Sequence, residues 1–503
     1  MKALLFLLFT IVSIARMFAQ SNNSPNNSYF EIDGIVLDEV TKTPLAFTNI
    51  GIMSSYRGTV SNENGQYLLY ISDIDITDTV SFHYIGYKVK RITISDLLKD
   101  SVVLLQEDIV SISEFIVYGN DIDAKSIVEK VLPNREKNYK PSPQKLRVFI
   151  RNRYVTDIYK FKVTPLKNSF NQLDDNTARL IEKSVPKQEL SFTDYYGDVY
   201  SNNDISVDYN KRTKLSPLKI ISLKDNQDYS EIETTFEDLF NDTQEKEYWK
   251  VASGVFSTKV NLENDSVKSD TSYKVEDYKN TMSSWFLAKQ INRGNRFLSM
   301  DNEDSWEFLH NTGKYIYTLF GGTRIKGEDV YIIDFVAKRR GSYHGRLYIS
   351  CSTYAILKAD FEYAEGKTGV DVNMLGISYM ESVHKVTLFY ENHDGVYHLK
   401  YLFRQEGEIL GVNRKVELIK KRERFLLDKT VAKYKVKLSF RTQNLNSIEI
   451  LIIKDKSISI NQFNEFKSKE RLKVQYVNEF DDKMWDGYSI IAPTQQMREY
   501  HKK

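Results

Sequence analysis

Short runs in which apolar and polar side chains alternate recur along this chain and constrain its fold more than any other feature. In residues 30–36 and again in residues 355–362, every second residue is apolar or small, which is the pattern of a strand with one buried face. The chain also contains 33 Tyr and 27 Phe, residue types that favour strands. The sequence therefore predicts a mainly β protein with α+β elements.

The first residues have the parts of a secretory signal peptide. Lys2 supplies a positive start, residues 3–14 are apolar, and Ala19 places a small residue at a plausible cleavage point. The apolar run is shorter than the roughly 20 residues that a membrane-spanning helix needs. We expect residues 1–19 to be removed, residues 20–29 to form a flexible leader, and the mature chain to be exported without a transmembrane span. An uncleaved anchor is the alternative. The expected location is the periplasm or the outer membrane.

Charge and cysteine content exclude several classes of protein. The 70 basic residues nearly balance the 68 acidic ones, so the net charge of +2 predicts no nucleic-acid partner. The single cysteine, Cys351, allows neither an intrachain disulfide nor a thiolate metal cluster. Its position at a strand end predicts a packed thiol rather than a nucleophile.

Residues 30–106 read as one small β-sandwich. Several short alternating runs are separated by turn signals at Thr41–Pro44 and Asn62–Gly65, where Asn and Gly tolerate positive φ. Many short strands at this spacing are typical of a transthyretin-like or immunoglobulin-like sandwich.

Four segments of this region resemble a known family. They are Gly34–Asp38 (GIVLD), Thr43–Leu45 (TPL), Gly58–Tyr67 (GTVSNENGQY) and Val80–Tyr87 (VSFHYIGY). Together they resemble the carboxypeptidase-like regulatory domain of exported Bacteroidota proteins. The resemblance implies a transthyretin-like, non-catalytic sandwich at the N-terminus of an exported protein, followed here by a region of unknown function.

The pattern changes after residue 106. Residues 107–145 read as a linker and a helix, which Asp121 or Asp123 would cap and Pro133 would end. Residues 146–503 are expected to form an α+β domain. Its first part, residues 165–250, is polar and mixed. Helices are predicted at residues 178–183, 229–240 and 281–298.

The C-terminal part predicts a meander of antiparallel strands. Asp394-Gly395 is a favoured hairpin dipeptide between two strand-like runs. We expect a curved antiparallel sheet or a partial barrel with flanking helices. Residues 345–350 and 355–360 also resemble, by strand rhythm, the sheet of periplasmic lipoprotein-carrier and sensor folds.

The sequence contains no motif of a zinc hydrolase, a nucleophile elbow or a phosphate-binding loop. His384, His393 and His398 would converge if the predicted hairpin were regular, but scattered histidines are usually surface residues. The acidic stretches Asp73–Asp78 and Asp301–Asp304 offer the oxygen ligands that calcium prefers. Solvated acidic turns are far more common. We therefore predict no catalytic, cofactor-binding or metal-binding residues, no cofactor and no enzyme activity.

The leading hypothesis is a non-enzymatic exported protein that binds or assembles at the outer membrane, with the sandwich as interaction module and an envelope protein or outer-membrane component as partner. The alternative is a periplasmic carrier or sensor of a lipid-like ligand. Its concave sheet face would be lined by Leu357, Phe361, Leu399 and Phe403. A metal-dependent hydrolase is the second alternative.

Overall fold

A computed structural model describes most of the chain from Phe30 onward. The described residues are 30–54, 58–71, 76–108, 123–139, 143–170, 173, 175–202, 208, 211–224, 239–240, 243–254, 256–260, 280–295, 300–325, 327–485 and 488–500. The predicted signal peptide and flexible leader lie outside these ranges, as does most of the helix predicted at residues 229–240. Within these ranges, no helix combines the length and the apolar character that crossing a membrane requires.

Seven strands and one short helix form the N-terminal sandwich. They are β1 (Phe30–Asp38), β2 (Asn49–Ile52), β3 (Gly58–Val60), β4 (Gln66–Ile71), β5 (Thr79–His83), β6 (Lys90–Thr93), α1 (Ile94–Leu97) and β7 (Val102–Leu105). One sheet has the order β4-β1-β7 and the other the order β3-β2-β5-β6. Strand β1 pairs antiparallel with β4 and parallel with β7. The predicted sandwich is thus confirmed.

Local sequence explains both the strands and their turns. The alternating residues of β5 point in turn to the core and outward, so that Val80 and Phe82 are fully buried. At the predicted turn, the Asn62 side-chain oxygen accepts hydrogen bonds from the backbone N–H groups of Asn64 and Gln66 at 2.9 and 3.0 Å. Gly65 has a φ of +74°, and a Cβ there would lie 2.7 Å from the carbonyl oxygen of Val36. Glycine is therefore required at this position.

The rest of the chain builds a large sheet of 14 strands and a two-stranded ribbon. The strands are β8 (Gln144–Asn168), β9 (Gln188–Ser201), β10 (Thr213–Lys224), β11 (Glu247–Ser253), β12 (Phe256–Val260), β13 (Thr281–Ser283), β14 (Tyr315–Ile325), β15 (Glu328–Ala337), β16 (Tyr343–Ser350), β17 (Ile356–Tyr363), β18 (Asp371–Met374), β19 (Ile377–His393), β20 (Val396–Arg422), β21 (Lys429–Ser457), β22 (Arg471–Lys473) and β23 (Gln475–Val477).

The main path of the large sheet runs β14-β15-β16-β17-β19-β20-β21-β8-β9-β10-β23. Strand β18 pairs with β19, β11 pairs with β20 and β12, and β13 with β22 forms the ribbon. Neighbours on the main path are antiparallel except β10 and β23. The path ends at two different strands in the described part of the chain, so the predicted curved sheet is confirmed in its open form.

The helices that follow α1 are short. They are α2 (Ala124–Glu129), α3 (Val131–Asn138), α4 (Asp175–Ser184), α5 (Ser284–Asn295), α6 (Glu307–His310), α7 (Ile460–Glu465) and α8 (Gln495–Arg498), with 3-10 turns at Thr312–Lys314 and Asp482–Trp485. Asp123 caps α2, as predicted, but Pro133 does not end the helical segment. It lies in the first turn of α3, where a missing backbone N–H leaves no hydrogen bond unmade.

The helix predicted at residues 178–183 is confirmed as part of α4. The helix predicted at residues 281–298 is shorter in the structure. Residues 281–283 are extended as β13 because they pair with Arg471–Lys473. Tertiary pairing here overrides a helical side-chain pattern.

The two faces of the large sheet are covered by different parts of the chain. On one face, side chains such as Val386, Leu388 and Ile450 form a core with residues of α2, α5 and α6. The opposite face presents Phe149, Tyr401, Phe403 and Leu451. This face is covered by the sandwich and by the C-terminal residues 485–500.

A buried ion pair attaches the C-terminal residues to the sheet. Arg151 on β8 donates two hydrogen bonds to Asp194 on β9, at 2.9 and 2.8 Å, and both side chains are almost wholly buried. The same guanidinium donates to the carbonyl oxygens of Ile491 and Ala492 at 3.0 and 2.8 Å. Because all these acceptors lie inside the protein, this arginine fixes the last segment of the chain in place.

Candidate ligand cleft between the sandwich and the sheet

Phe47 is an aromatic side chain of the sandwich that packs directly on the sheet. Its ring stacks on Tyr401 and Phe403, with ring centroids 4.9 and 5.2 Å apart. Phe47 has a φ of +66°, a backbone conformation that costs about 1–3 kcal/mol for a residue with a Cβ. A hydrogen bond from its N–H to the Ser61 carbonyl oxygen, at 2.9 Å, holds the segment in this conformation. The strained backbone directs the ring outward from the sandwich onto the sheet.

Beside this contact lies a cleft of about 460 Å³, which we call the junction cleft. One wall belongs to the sandwich and the other to β17, β19 and β20 of the sheet. Its apolar and aromatic lining includes Phe47, Val60, Tyr84, Ile85, Tyr87, Val89, Leu357, Phe389, Tyr390 and Tyr401. Its polar lining includes Asn49, His83, Arg324, Glu328, Glu391, Asn392 and Lys400.

The sandwich wall of the junction cleft is a tight turn at residues 84–87. The N–H of Tyr87 donates to the Tyr84 carbonyl oxygen at 3.1 Å, and Gly86 has a φ of +88°. The Tyr87 hydroxyl donates to Asp38 at 2.8 Å. The backbone N–H of Thr41, followed by this hydroxyl, lowers the pKa of Asp38. The turn is therefore fixed at its base, and Ile85 at its apex faces the sheet.

A buried lysine lies beneath this wall. The Lys358 ammonium lies 4.3 Å from the ring centre of Tyr84 and 5.2 Å from that of Phe389. It is 3.0 Å from an Asp360 carboxylate oxygen and donates to the Tyr84 hydroxyl at 3.1 Å. Burial alone would lower the pKa of Lys358, but the Asp360 carboxylate and the surrounding tyrosines raise it above its usual value. Lys358 is thus charged, and it ties the sandwich to the sheet.

Polar contacts complete the docking between the two parts. The Asn49 side-chain amide donates to Glu391 on β19 at 2.9 Å. The Asn62 amide donates to the Pro493 carbonyl oxygen at 3.2 Å, and Arg498 lies 2.7 Å from Asp33. The first contact joins the sandwich to the sheet, and the other two join it to the C-terminal segment that covers the same face of the sheet.

The structure separates the four side chains predicted to form a ligand face. Leu357 borders the junction cleft and also belongs to the helix-covered core, where Phe361 packs against Trp306 and Phe308 with ring centroids 5.5 and 4.9 Å apart. Leu399 packs on that same helix-covered core, and Phe403 lies on the opposite face of the sheet beneath Phe47.

Two β-bulges lie at these residues, and one of them separates Leu399 from Phe403. The register of β16 and β17 shifts between Tyr348 and Ile349, which leaves Leu357 as an extra residue. The register of β19 and β20 shifts between Phe389 and Tyr390, which leaves Lys400 as an extra residue. The bulge at Lys400 lies between Leu399 and Phe403 and places these two side chains on opposite faces, whereas no bulge lies between Leu357 and Phe361, which both contact the helix-covered core.

Sequence reasoning missed most of the residues that build the junction cleft. The Val80–Tyr87 segment carried part of the family resemblance, and its last four residues form the sandwich wall. Lys358 gave no signal, because a lysine in an alternating strand normally indicates a solvated face. Phe47 gave none either, because a left-handed aromatic residue cannot be recognised from its neighbours.

The three histidines considered as metal ligands do not converge. The rings of His393 and His398 lie 5.3 Å apart near the predicted hairpin turn. The His384 ring lies between the rings of Tyr343 and Tyr363, whose centroids are both 5.5 Å away. On the sheet, residue His384 of β19 is paired with Glu406 of β20. Throughout the described ranges, no group of three or more His, Cys, Asp or Glu side chains is placed to hold a metal ion.

The other candidate groups have ordinary structural surroundings. Burial raises the pKa of the Cys351 thiol to about 12, so the thiol is neutral. Asp301 forms an ion pair with Arg135 at 2.7 Å. The acidic residues Asp73 and Asp75 lie outside the described residues.

A second, wider cleft of about 1100 Å³ lies on the helix-covered side. Both acidic and basic side chains line it, and several of them form ion pairs with one another. Lys314 pairs with Glu307, and Arg404 pairs with Glu406. These pairs already satisfy much of its charge, so the junction cleft is the stronger candidate for an amphipathic ligand.

Comparisons with known proteins agree with the identification of the first domain. Residues 32–117 match the model of the CarboxypepD_reg-like domain, which confirms the resemblance for this part of the chain. None of the curated proteins compared with the chain matches it.

Solved structures give distant matches over the larger part of the chain. An outer membrane lipoprotein-sorting protein domain from Vibrio parahaemolyticus is 9% identical, with 68% of this chain and 98% of that chain covered and a TM-score of 0.19. The MucA/MucB complex of Pseudomonas aeruginosa is 6% identical, with 70% and 99% covered and a TM-score of 0.17. TM-scores this low support no inference about function.

Proposed function

We propose that this chain is an exported, non-enzymatic binding protein whose junction cleft holds a small ligand with an apolar body and a polar end. The observation that carries the proposal is the cleft itself. At about 460 Å³ it falls within the range of roughly 300–1,000 Å³ that small-molecule sites occupy. It lies at a junction between two structural units, where such sites are frequent.

The lining of the cleft indicates the chemistry of the ligand. Ring faces of Tyr84 and Phe389 and the side chain of Leu357 offer an apolar body to bind against. The polar part of the lining holds Lys400, Arg324, which pairs with Asp329 at 2.8 Å, and the carboxylates of Glu328 and Glu391. Lys400 is the cation that would stabilise an anionic end of a ligand. A lipid-like carboxylate or phosphate ester combines these two properties.

The sandwich contributes to this proposed site as a wall. One of its sides is occupied by the sheet of its own chain, through Phe47, Val60, Leu68 and Tyr70. In this proposal, the sandwich acts as an interaction module first toward the sheet of its own chain. A partner in the cell envelope would bind the remaining sandwich surface or receive the ligand from the cleft.

The proposal is tested by titration with an environment-sensitive fatty acid, a dansylated undecanoic acid, on the chain from residue 20 onward. Ile85→Trp places a larger side chain at the apex of the cleft wall and should abolish binding. Ile316→Trp, at an exposed position on β14, is the matched control and should bind normally. Lys400→Ala should weaken binding of the acid more than binding of the corresponding alcohol.

Mass spectrometry of molecules extracted from the purified protein gives an independent measurement. Enrichment of an anionic amphiphile in the wild-type protein, and its loss in Ile85→Trp, would support the proposal. Equal probe binding by both Trp variants would refute it, because the junction cleft would then not be the binding site. Absence of both probe binding and a co-purified amphiphile in the wild-type protein would refute it as well.

A further inference from the structure

The connection between β20 and β21 exposes three consecutive large apolar side chains. Phe425, Leu426 and Leu427 are 101%, 86% and 84% exposed. They occupy the middle of the loop Glu423–Asp428, which we call the hairpin tip. Isolated exposed apolar residues are common on protein surfaces, but a contiguous apolar apex on a convex loop indicates a contact surface.

The base of the hairpin tip is held in a defined conformation. The Asp428 carboxylate accepts a hydrogen bond from the Tyr248 hydroxyl at 2.6 Å, and Glu423 lies 3.2 Å from the Lys259 ammonium. Strand β11 pairs with the end of β20 up to Arg422, which extends the sheet to the loop. The apolar apex is therefore presented by a braced hairpin.

An inward-facing carboxylate strengthens this bracing. Glu247 has a side chain only 1% exposed, and it pairs with Arg422 at 2.7 Å and Lys420 at 3.1 Å. Burial alone would raise the pKa of Glu247, but a backbone donor and these two cations lower it to about 2. The Glu247 carboxylate is ionised at neutral pH, so its ion pairs hold β11 against β20 behind the hairpin tip.

The charges around the apolar apex favour binding to an anionic surface. Its own acidic residues, Glu423 and Asp428, are engaged by Lys259 and Tyr248. Arg424 directly precedes the three apolar residues, Lys429 follows them after Asp428, and both cations are exposed. Apolar side chains flanked by cations are the combination that binds the interface of a bilayer containing anionic lipids.

A bilayer also suits the shape of the tip better than a protein does. Three side chains at a convex apex provide less than the roughly 800 Å² per partner that a standard protein interface buries. A bilayer needs no complementary groove, because its acyl region accepts any apolar side chain that reaches it.

We propose that the hairpin tip inserts Phe425, Leu426 and Leu427 into the surface of an anionic lipid bilayer, while the flanking cations contact the lipid headgroups. This site lies on β20 and β21 away from the junction cleft lining, and it does not depend on the function proposed for that cleft. It would hold the protein against a membrane without a membrane-spanning helix.

The test is co-sedimentation of the chain from residue 20 onward with vesicles, since the predicted signal peptide, residues 1–19, is itself apolar and would bind them. Vesicles of phosphatidylcholine with phosphatidylglycerol should bind the protein, and vesicles of phosphatidylcholine alone should bind it more weakly. Replacing Phe425, Leu426 and Leu427 by Ser should lower the partition coefficient on the order of 100-fold. Added salt should weaken binding of the wild-type protein by screening the cations.

Met374→Ser with Leu375→Ser is the matched control. These two consecutive residues are also exposed, at 63% and 62%, on the turn between β18 and β19. Their replacement should leave vesicle binding unchanged, and an equal loss of binding would overturn the assignment to the hairpin tip.

A gain-of-signal variant guards against misfolding of the serine variant. In the presence of anionic vesicles, the fluorescence that the new tryptophan of Phe425→Trp adds to that of the wild-type protein should shift to shorter wavelength. Brominated lipids should quench this added fluorescence. An unshifted and unquenched signal would overturn the proposal. Absence of vesicle binding together with tip-dependent dimers in size-exclusion chromatography would also overturn it, and would assign the tip to a second copy of the chain.

Discussion

Glu449 should make the stability of this protein depend on pH near neutrality. Its carboxyl on β21 is 7% exposed and accepts a hydrogen bond from the Tyr401 hydroxyl at 3.1 Å. The nearby Arg151 already donates to Asp194 and to two carbonyl oxygens of the C-terminal segment. Burial, partly offset by Arg151 and reinforced by Glu63, raises the pKa of Glu449 from 4.5 to about 7.

The direction of the effect follows from proton linkage. Between pH 4.5 and about 7, the folded state holds a proton on Glu449 that the unfolded state has lost. The free energy of unfolding should therefore be greatest below this window and fall as the pH rises through it. A shift from 4.5 to about 7 corresponds to a decrease of about 3 kcal/mol at most.

The variant Glu449→Gln keeps a polar side chain beside Tyr401 and removes the titration. Its free energy of unfolding should match that of the wild type near pH 4, below the window, and exceed it by up to about 3 kcal/mol near pH 8. Urea unfolding monitored by tryptophan fluorescence, at several pH values, measures the difference between the two proteins. Titratable groups that the two proteins share cancel in this difference. Glu465→Gln, at an exposed position, controls for the loss of one negative charge. Parallel pH profiles of wild type and Glu449→Gln would refute the reasoning.

Three further substitutions test the core and the docking of the sandwich. Burial, reinforced by Arg404, lowers the pKa of His384 to about 3, so the free energy of unfolding should fall as the pH drops from about 6.5 toward 3. His384→Phe should reduce that loss, as measured by thermal melting curves at acid pH. Arg151→Met strands the Asp194 carboxylate and should cost about 3–5 kcal/mol in urea unfolding, whereas a loss below 1 kcal/mol would contradict the buried pair. Phe47→Ala should cost about 3 kcal/mol and make the sandwich separate from the sheet in limited proteolysis.

The sandwich was predictable because its determinants are local. Period-two alternation in β5 and the Asn62–Gly65 turn each act over a few residues, and the structure keeps both. Strands β9 and β10 were not predicted, because their residues are mixed in polarity and their order depends on the pairing of β9 with β8 and of β10 with β9. Such pairing leaves only a weak trace in a single sequence.

The candidate site was less predictable than the fold for a specific reason. Alternation correctly predicted the strands that contain Leu357, Phe361, Leu399 and Phe403. It could not reveal the bulge at Lys400, which places Leu399 and Phe403 on opposite faces of the sheet. A bulge is set by the partner strand, so one strand's sequence does not specify it.

Tyr401 connects the features that this junction brings together. Its ring stacks against Phe47 of the sandwich and lines the junction cleft, while its hydroxyl donates to Glu449. Docking of the sandwich thus forms the cleft and desolvates the Glu449 carboxyl through the same side chain. The positive φ of Phe47 is consistent with this arrangement, because a strained backbone persists where the packing around it determines the side-chain position. The cleft is consequently a property of the docked pair, and neither the sandwich nor the sheet contains it separately.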